Sequence, residues 1–442
     1  MIKLVFMREK ILVVSTVAPH RIGGIQNLYT LLSALKPDRY CVLTTHRSIR
    51  GQLTNQPLRG ECFYCDPQEP LNPVDVRDEA SPSVKSRSQS QFRTWARQTV
   101  LGKYYRHVYS FLVFRYRAAR SAIRFLVSTV RMIWLGYLIV QRRNIRGLVG
   151  ISDTGPALIS TYMLSRLCRL PYVIYLFDIY LGNNLGTLEN HLAKFFEPLL
   201  IKRAVFVLLT NEGTETYYRD RYGDTFRPAI LHNSISPAQY ERVRTQYSPS
   251  PPYRIVFTGN VYWAQERSVV NLIRTMDELR DSQVLLDLYI PNPPQSVIDQ
   301  IRERKNIRLT SAPATAMPRI QCSASILFLP LSWDTPAPDI IATATPGKLT
   351  DYLASGRPIL IHAPSCAWIN QYARQEGFGL VIDEESIAKL KDGVLKLIKD
   401  KRFARRLVRN AKKTFYKNHM ARSAISKFIS ILESAFDIDL HN

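Results

Sequence analysis

Cysteine is scarce in this chain. Six residues (Cys41, Cys62, Cys65, Cys168, Cys322 and Cys366) are spread over 442 positions. They are too few and too scattered for a disulfide framework, so a reducing compartment is expected. Cys62 and Cys65 have CxxC spacing, but no second pair accompanies them for zinc, and on a strand they would face opposite ways. Long apolar runs are missing as well. The longest, "FLVSTVRMIWLGYLIV" at 125–140, is interrupted by Arg131 and falls short of the roughly 20 residues a spanning helix needs. No membrane-spanning segment is therefore expected. The first strand pattern starts within the opening dozen residues, which leaves no signal peptide in view. No metal-ligand constellation is present, because the one DxD, Asp437 and Asp439, sits in the last few residues and reads as solvated. Acidic residues are outnumbered: 36 Asp and Glu face 60 Lys and Arg, for a net charge of +24. That excess implies an anionic partner. Nucleic acid is not the expected one, since no helix-turn-helix, zinc-finger, RRM or KH signature accompanies the charge.

What is present is globular. Hydrophobic residues make up 46% and aromatics 10% of the chain, and the length calls for two or three domains rather than one core. Strand and helix patterns alternate almost throughout, the mark of α/β architecture with parallel sheets. The strand patterns of the first half are "KILVVST", "YCVLTTH", "ECFYC", "GLVGISD", "YVIYLFD", "VFVLLTN" and "PAILHNS". Those of the second are "YRIVFTGN", "VLLDLYIP", "NIRLTSA", "ASILFLPL", "RPILIHAP" and "FGLVID". A Pro- and Ser-rich stretch at 67–91 reads as a loop, and another at 236–252 as an interdomain linker. The expected organisation is one doubly wound domain over 1–235 and a second over 253–418, with the tail from 384 to 436 mostly helical. Ligands of such sheets bind beyond the carboxyl ends of the strands, so two facing domains place that crevice between them.

Two loops carry candidate chemistry. After "KILVVSTVAP" come Gly23 and Gly24, and then apolar residues at helical spacing (Ile25, Leu28, Leu31, Leu32, Leu35). Glycine lets a ligand approach the backbone, and a helix start favours negative charge; a plain tight turn is the alternative. The denser signal is "TATPGKLTDYLASGRPILI" at 343–361. Thr345 suits an N-cap and Pro346 the first helical position, with Gly347, Lys348, Leu349 and Thr350 following. This would be an anion site with an ammonium beside it, and Asp351 one turn on is placed to accept from sugar hydroxyls. An ordinary capped helix ending at Gly356 is the alternative.

"PGKLTDYLASGRP" resembles the "P-x-K-x-x-E-Y-L-A-x-G-x-P" segment of nucleotide-sugar glycosyltransferases of the GT-B fold, group 1 type (glycosyltransferase family 4), with Asp351 for Glu. "GGIQ" is similar to the family's "GG-x-x" loop near the reaction centre, which would involve Gly23 and Gly24. "FTGNVYWAQER" is similar to the strand ending "G-x-x-x-x-x-K-G", with Gly259 as the glycine, Asn260 beside it and Arg267 as a stand-in phosphate ligand two positions late. "LHNSIS" resembles the "p-N-g-v-D" close of the first domain, with Asn233 as the asparagine. These motifs run in the family's order along nearly the whole chain. The resemblance implies two Rossmann-like domains with a cleft between them and a nucleotide diphosphate sugar as donor. It also implies a donor ribose on Asp351, a diphosphate on the helix start, and retention of anomeric configuration. Base contacts are expected around Leu309 to Ala316. It further implies a last helix, 419–438, crossing back to the first domain; Ile425, Phe428, Ile429, Ile431, Leu432 and Phe436 would be its buried side. Two positions depart. Thr343 stands where the family has the first of two acids eight residues apart, and Phe177 stands where His often precedes Asp178.

The expected reaction is metal-independent and needs no cofactor. Breaking a sugar–diphosphate bond develops negative charge on the leaving phosphate, which Lys348, Arg267 and backbone N–H groups would meet. Asp178 would orient the acceptor hydroxyl or take its proton; a structural carboxylate is the alternative. Between Glu79 and Asp153 there is no acidic residue, and residues 85–146 hold fourteen Lys or Arg. On a helical wheel for this basic segment (92–146), Lys103, Arg106, Arg117, Arg120, Arg124 and Arg131 share one face. Val108, Leu112, Ile123, Leu126, Val130, Ile133 and Tyr137 share the opposite one. Docking to anionic lipid from the cytoplasmic side is one reading, with Arg117, Arg120, Arg124 and Arg131 as the contacts. A core-packed helix with a solvated basic face is the other. A lipid-linked saccharide acceptor in surface polysaccharide assembly would follow from the first. Rival readings are a sugar-nucleotide epimerase of the same fold and a degenerate scaffold.

Overall fold

The computed structural model describes residues 8–19, 25–46, 58–65, 100–152, 155–183, 188–302 and 304–440. Gly23, Gly24 and the 67–91 stretch lie outside the described residues, and so do 92–99.

Seven mostly apolar segments make the first sheet: β1 (Lys10–Val17), β2 (Tyr40–His46), β3 (Glu61–Tyr64), β4 (Ile145–Ile151), β5 (Tyr172–Leu176), β6 (Phe206–Leu209) and β7 (Pro228–Ile230). Their order is β3-β2-β1-β4-β5-β6-β7 and every pairing is parallel. The central strands are nearly continuously apolar because both faces are covered. Val13 lies between Val42 and Val149 in register, and all three are fully buried. The second sheet holds β8 (Tyr253–Thr258), β9 (Val284–Tyr289), β10 (Ile307–Thr310), β11 (Ile326–Pro330), β12 (Ile359–His362) and β13 (Gly379–Ile382). It too is parallel, in the order β10-β9-β8-β11-β12-β13. In each sheet the chain runs outward to one edge, returns to the centre and builds the other half. The order therefore reverses between β1 and β4, and again between β8 and β11, and a crevice opens at each reversal. The doubly wound α/β arrangement expected from the strand patterns is present twice.

The basic segment forms one helix of 43 residues, Val100–Arg142. Its inward stripe is Thr129, Met132, Gly136 and Ile139. The stripe packs beside helix Ala157–Cys168, where Gly136 faces Leu164 and Leu43. Of the described side chains on the apolar wheel face, Ile123, Leu126 and Val130 are exposed and only Ile133 and Tyr137 pack against the core, so the core-packed alternative holds for the C-terminal part of the helix alone. A 43-residue helix has apolar residues on two sides, and the wheel cannot say which side the domain takes. The part from Ala118 to Arg142 is also long and apolar enough to cross a membrane, with Arg131 as no real interruption, contrary to the expectation from the 125–140 run. Its C-terminal half is nonetheless part of the first domain's core.

The chain crosses between the sheets twice, side by side. Ile235 donates to the His419 carbonyl at 3.1 Å and accepts from the Ala421 N–H at 3.1 Å. His419, fully buried, sits under this bridge with Nδ1 2.8 Å from the Asn233 carbonyl and Nε2 2.9 Å from the Tyr372 hydroxyl. A carbonyl only accepts, so Nδ1 carries the proton and Nε2 accepts from Tyr372. Burial holds the ring neutral, with its pKa pulled down to about 4. Beyond the bridge, helix Ala421–Phe436 lies on the first sheet, where Phe428, Leu432 and Phe436 join Ile11, Val13 and Leu28 in one core. Gly147 in β4 makes room for it, since a Cβ there would fall 2.2 Å from the Phe436 ring. The 236–252 segment packs on the second domain. Tyr240 is buried in that domain's core, the Tyr247 hydroxyl donates to the Ser325 carbonyl at 3.1 Å, and Arg357 donates to the Thr245 carbonyl at 3.1 Å.

Candidate active site

The second sheet's reversal point brings Gly259, which follows β8, against Lys348 in the connection after β11. Gly259 has φ +113°, a conformation that glycine tolerates, and a Cβ there would meet Lys348 Cε at 3.4 Å. The Lys348 ammonium lies over the Phe257 ring, 4.8 Å from its centroid. Burial pulls its pKa down to about 8, and the nearby Asp351 opposes that shift.

The helix itself starts later than the sequence suggests. Its span is Leu349–Ser355, with Lys348 at the N-cap position in helical geometry, closed by Gly356. Thr345 is not the cap, because its hydroxyl accepts from Asn211 Nδ2 of the first domain at 2.6 Å. Leu349 donates to the Pro346 carbonyl at 2.9 Å. The backbone N–H groups of Gly347 and Lys348 donate to nothing among the described residues. Gly347 is exposed and Lys348 half-buried, so this turn is open to a ligand. Pro346, Leu349 and Thr350 turn inward and are buried.

Asp351 is held by a network that begins in the 236–252 segment. The Tyr240 hydroxyl lies 2.6 Å from Asp351 Oδ1 and 2.7 Å from Gln321 Oε1, and its single proton serves one of them at a time. Gln321 Nε2 donates to Thr258 Oγ1 at 3.0 Å, and the Thr258 N–H donates to the Tyr352 hydroxyl at 3.1 Å. Burial raises the Asp351 pKa to about 6, while the Tyr240 hydrogen bond and Lys348 pull the other way. Its second oxygen has no hydrogen-bond partner among the described residues, so it keeps accepting capacity.

The opposite wall belongs to the first domain. Asp178 follows β5, where the ends of three strands are laced together: the Ser152 hydroxyl accepts from the Phe177 N–H at 2.9 Å, and the Thr210 hydroxyl donates to the Phe177 carbonyl at 3.0 Å. The half-buried Asp178 carboxylate makes no hydrogen bond or ion pair among the described residues, and burial raises its pKa. It is close enough to the other domain for its charge to act on the Tyr262 phenol, which partial burial raises first. Phe177, in the family's histidine position, packs on Tyr175 with ring centroids 4.6 Å apart and joins the core.

The walls are tied together by Asn211. It is fully buried, caps helix Glu212–Tyr222 by accepting from Thr214, and donates to the Thr343 carbonyl at 2.8 Å as well as to Thr345. Thr343 is itself buried, and its hydroxyl donates back to the Asp339 carbonyl at 2.7 Å, so no acid or free hydroxyl reaches the crevice there. Arg267 turns elsewhere. It pairs with Asp334 and Glu385 at a pocket of about 400 Å³ lined by Trp263, Trp333 and Asn271. Asn260 is exposed beside Gly259. Gly259, Lys348 and Asp351 are thus gathered on one wall and Asp178 faces them, while Arg267 is held in a neighbouring ion-pair cluster. Nothing in the sequence marks Tyr240 or Gln321 as part of this site. Only Asn211 had a signal, as a polar residue opening a helix pattern.

No protein-family model matches the chain, and no curated protein matches it by sequence. Solved structures match along nearly its whole length. Anabaena HepE in complex with UDP superposes with a TM-score of 0.65 at 13% identity, covering 97% of this chain and 100% of that one. Sucrose-phosphate synthase from Thermosynechococcus elongatus gives 0.63 at 11%, covering 98% and 100%. A glycosyltransferase from Rickettsia africae gives 0.63 at 12%, covering 98% and 100%. The chain has the GT-B fold.

Proposed function

We propose that this GT-B chain transfers a sugar from a nucleoside diphosphate sugar to an acceptor hydroxyl. The observation that carries the reading is the pair of N–H groups at Gly347 and Lys348, unpartnered among the described residues, with the Lys348 ammonium beside them, at a sheet reversal near which the charge of Asp178 acts on Tyr262. Such a group of donors suits the diphosphate, and it gains strength as the leaving oxygen acquires charge. Asp351, ionised and anchored by Tyr240, accepts from the ribose hydroxyls. Asp178 has no competing partner among the described residues and a raised pKa, which suits a group that orients the acceptor hydroxyl and takes its proton as the new bond forms. With Thr343 buried, position 343 offers the transferred sugar no carboxylate, so its hydroxyls are read by other groups of the crevice. Retention of configuration is the expected outcome, on the motif resemblance. Anabaena HepE has been seen with UDP-glucose, which makes UDP-sugars the first donors to try.

The test measures free UDP released from a panel of UDP-sugars, with and without saccharide acceptors. A transferase releases UDP in proportion to acceptor. An epimerase alters the donor sugar without needing one, and a scaffold does neither. Failure of every donor to bind or turn over would refute the proposal.

A further inference from the structure

Eleven large apolar side chains are exposed among the described residues, and nine of them lie on three neighbouring helices of one layer. Tyr116, Ile123, Leu126, Val127, Val130 and Trp134 are on Val100–Arg142, Met163 and Leu167 on Ala157–Cys168, and Phe195 on Leu188–Arg203. Ile123, Val130 and Trp134 are each more than 60% exposed (61%, 66% and 63%). Scattered exposed apolar residues need no explanation, but nine on three helices that touch one another do. Its flank is basic: Arg120, Arg124 and Arg131 are exposed along the long helix, with Arg166, Arg169, Lys194 and Lys202 on its neighbours. No acidic residue lies between Glu79 and Asp153 to offset those of the long helix, and the two acids of Leu188–Arg203, Glu189 and Glu197, are buried.

We propose that this face docks on an anionic phospholipid bilayer, lying on it rather than crossing it. The long helix is firmly part of the first domain through Met132, Gly136 and Ile139, so it is not free to insert alone. Apolar outer residues with a cationic flank fit an interface where acyl chains begin and phosphates sit above them. The geometry also orients the molecule. The C-terminal end of the helix meets the start of β1, where the Lys10 N–H donates to the Asn144 carbonyl at 2.8 Å. Its other end therefore points toward the strands' carboxyl ends, the side of Asp178 and the crevice. At about 1.5 Å per residue the helix is about 65 Å long, against about 25 Å for β1, so much of it overhangs on that side. Docking brings the crevice mouth to the bilayer surface, within reach of an acceptor carried on a lipid. The docking face stands on the helix layer alone, whereas the lipid-borne acceptor rests on the glycosyl-transfer reading.

The experiment is co-sedimentation of the full chain with phosphatidylglycerol-containing vesicles and with pure phosphatidylcholine vesicles, at about 0.1 M and about 1 M salt. UDP affinity and oligomeric state are measured on the same samples. Wild type is expected to bind the anionic vesicles and to release them at high salt. Replacing Arg120, Arg124 and Arg131 together with glutamine should weaken binding about a hundredfold. Replacing Ile123, Val130 and Trp134 together with serine should abolish it, and UDP affinity should stay unchanged in both variants. Indifference of the wild type to anionic vesicles, or undiminished binding by either variant, overturns the proposal. So does a wild-type dimer that the serine variant dissolves, since the face would then cover a second copy. Vesicle binding without any UDP affinity would leave the docking face standing and remove the functional reading.

Discussion

Replacing Lys348 with methionine separates what this side chain costs from what it does. Its ammonium is wedged against Phe257 and Gly259, and burial lowers its pKa from 10.5 to about 8. At about 1.4 kcal/mol per pH unit, keeping the cation there costs up to about 3 kcal/mol. The folded value is the lower one, so the cost is fully present below pH 8 and is relieved only as pH rises toward 10.5. Methionine keeps most of the stem's packing and removes the charge. Asp351 then loses its positive neighbour, which cancels part of the gain. A net stabilisation of about 1–2 kcal/mol at pH 7 is expected, a rise of a few degrees in Tm. Nucleotide binding should move the other way. Each lost charge-assisted hydrogen bond to the diphosphate costs about 1.5–3 kcal/mol, so UDP affinity should fall about 10- to 150-fold. Thermal unfolding with and without UDP, beside titration calorimetry, reads both effects. UDP binding at wild-type strength would refute the site, and a variant less stable than wild type would refute the account of burial.

Four further outcomes are expected. UDP affinity should be greatest between about pH 6 and pH 8, where Asp351 is ionised and Lys348 protonated; an affinity flat well beyond both limits contradicts this. Tyr240→Phe removes a hydrogen bond that lowers the Asp351 pKa, so the acidic limb of that profile should move to higher pH, and should vanish in an Asp351→Asn background. Asn211→Ala should cost about 1 kcal/mol as a lost cap and also release the connection at Thr343 and Thr345. A larger radius of gyration in solution scattering would report the loosened domains, and an unchanged one would count against the tie. Phe436→Ala should destabilise the first domain by about 3–5 kcal/mol in urea unfolding, because the ring fills the space that Gly147 leaves.

The two sheets were legible in the sequence because each strand is a short β-branched run between polar turns, and a parallel sheet covered on both faces leaves that pattern intact. The helix start at 343–351 was legible as chemistry but not as geometry. Thr345 has the composition of a cap, yet its hydroxyl is engaged by Asn211, more than a hundred positions away, and local propensity carries no trace of such a partner. Tyr240 was hidden for the same reason, in a Pro- and Ser-rich stretch with nothing nearby to mark a residue that supports Asp351. The long helix shows a different limit. Periodicity detects that Ile123, Leu126 and Val130 share a side, but Met132, Gly136 and Ile139 also share one, and only the sheet beneath decides between them.

The return of the last helix to the first sheet sets an order on synthesis. Ile11, Val13 and Leu28 leave the ribosome early, but Phe428, Leu432 and Phe436, which cover them, are made some 400 residues later. At about 5–20 residues per second the first domain waits roughly 20–80 s with one face of its sheet bare. In that interval the second domain has time to complete itself, so the half of the molecule that is begun first is finished last. A lesion near the C-terminus, whether a truncation or a bulky fusion at helix Ala421–Phe436, would be felt as misfolding of the N-terminal half.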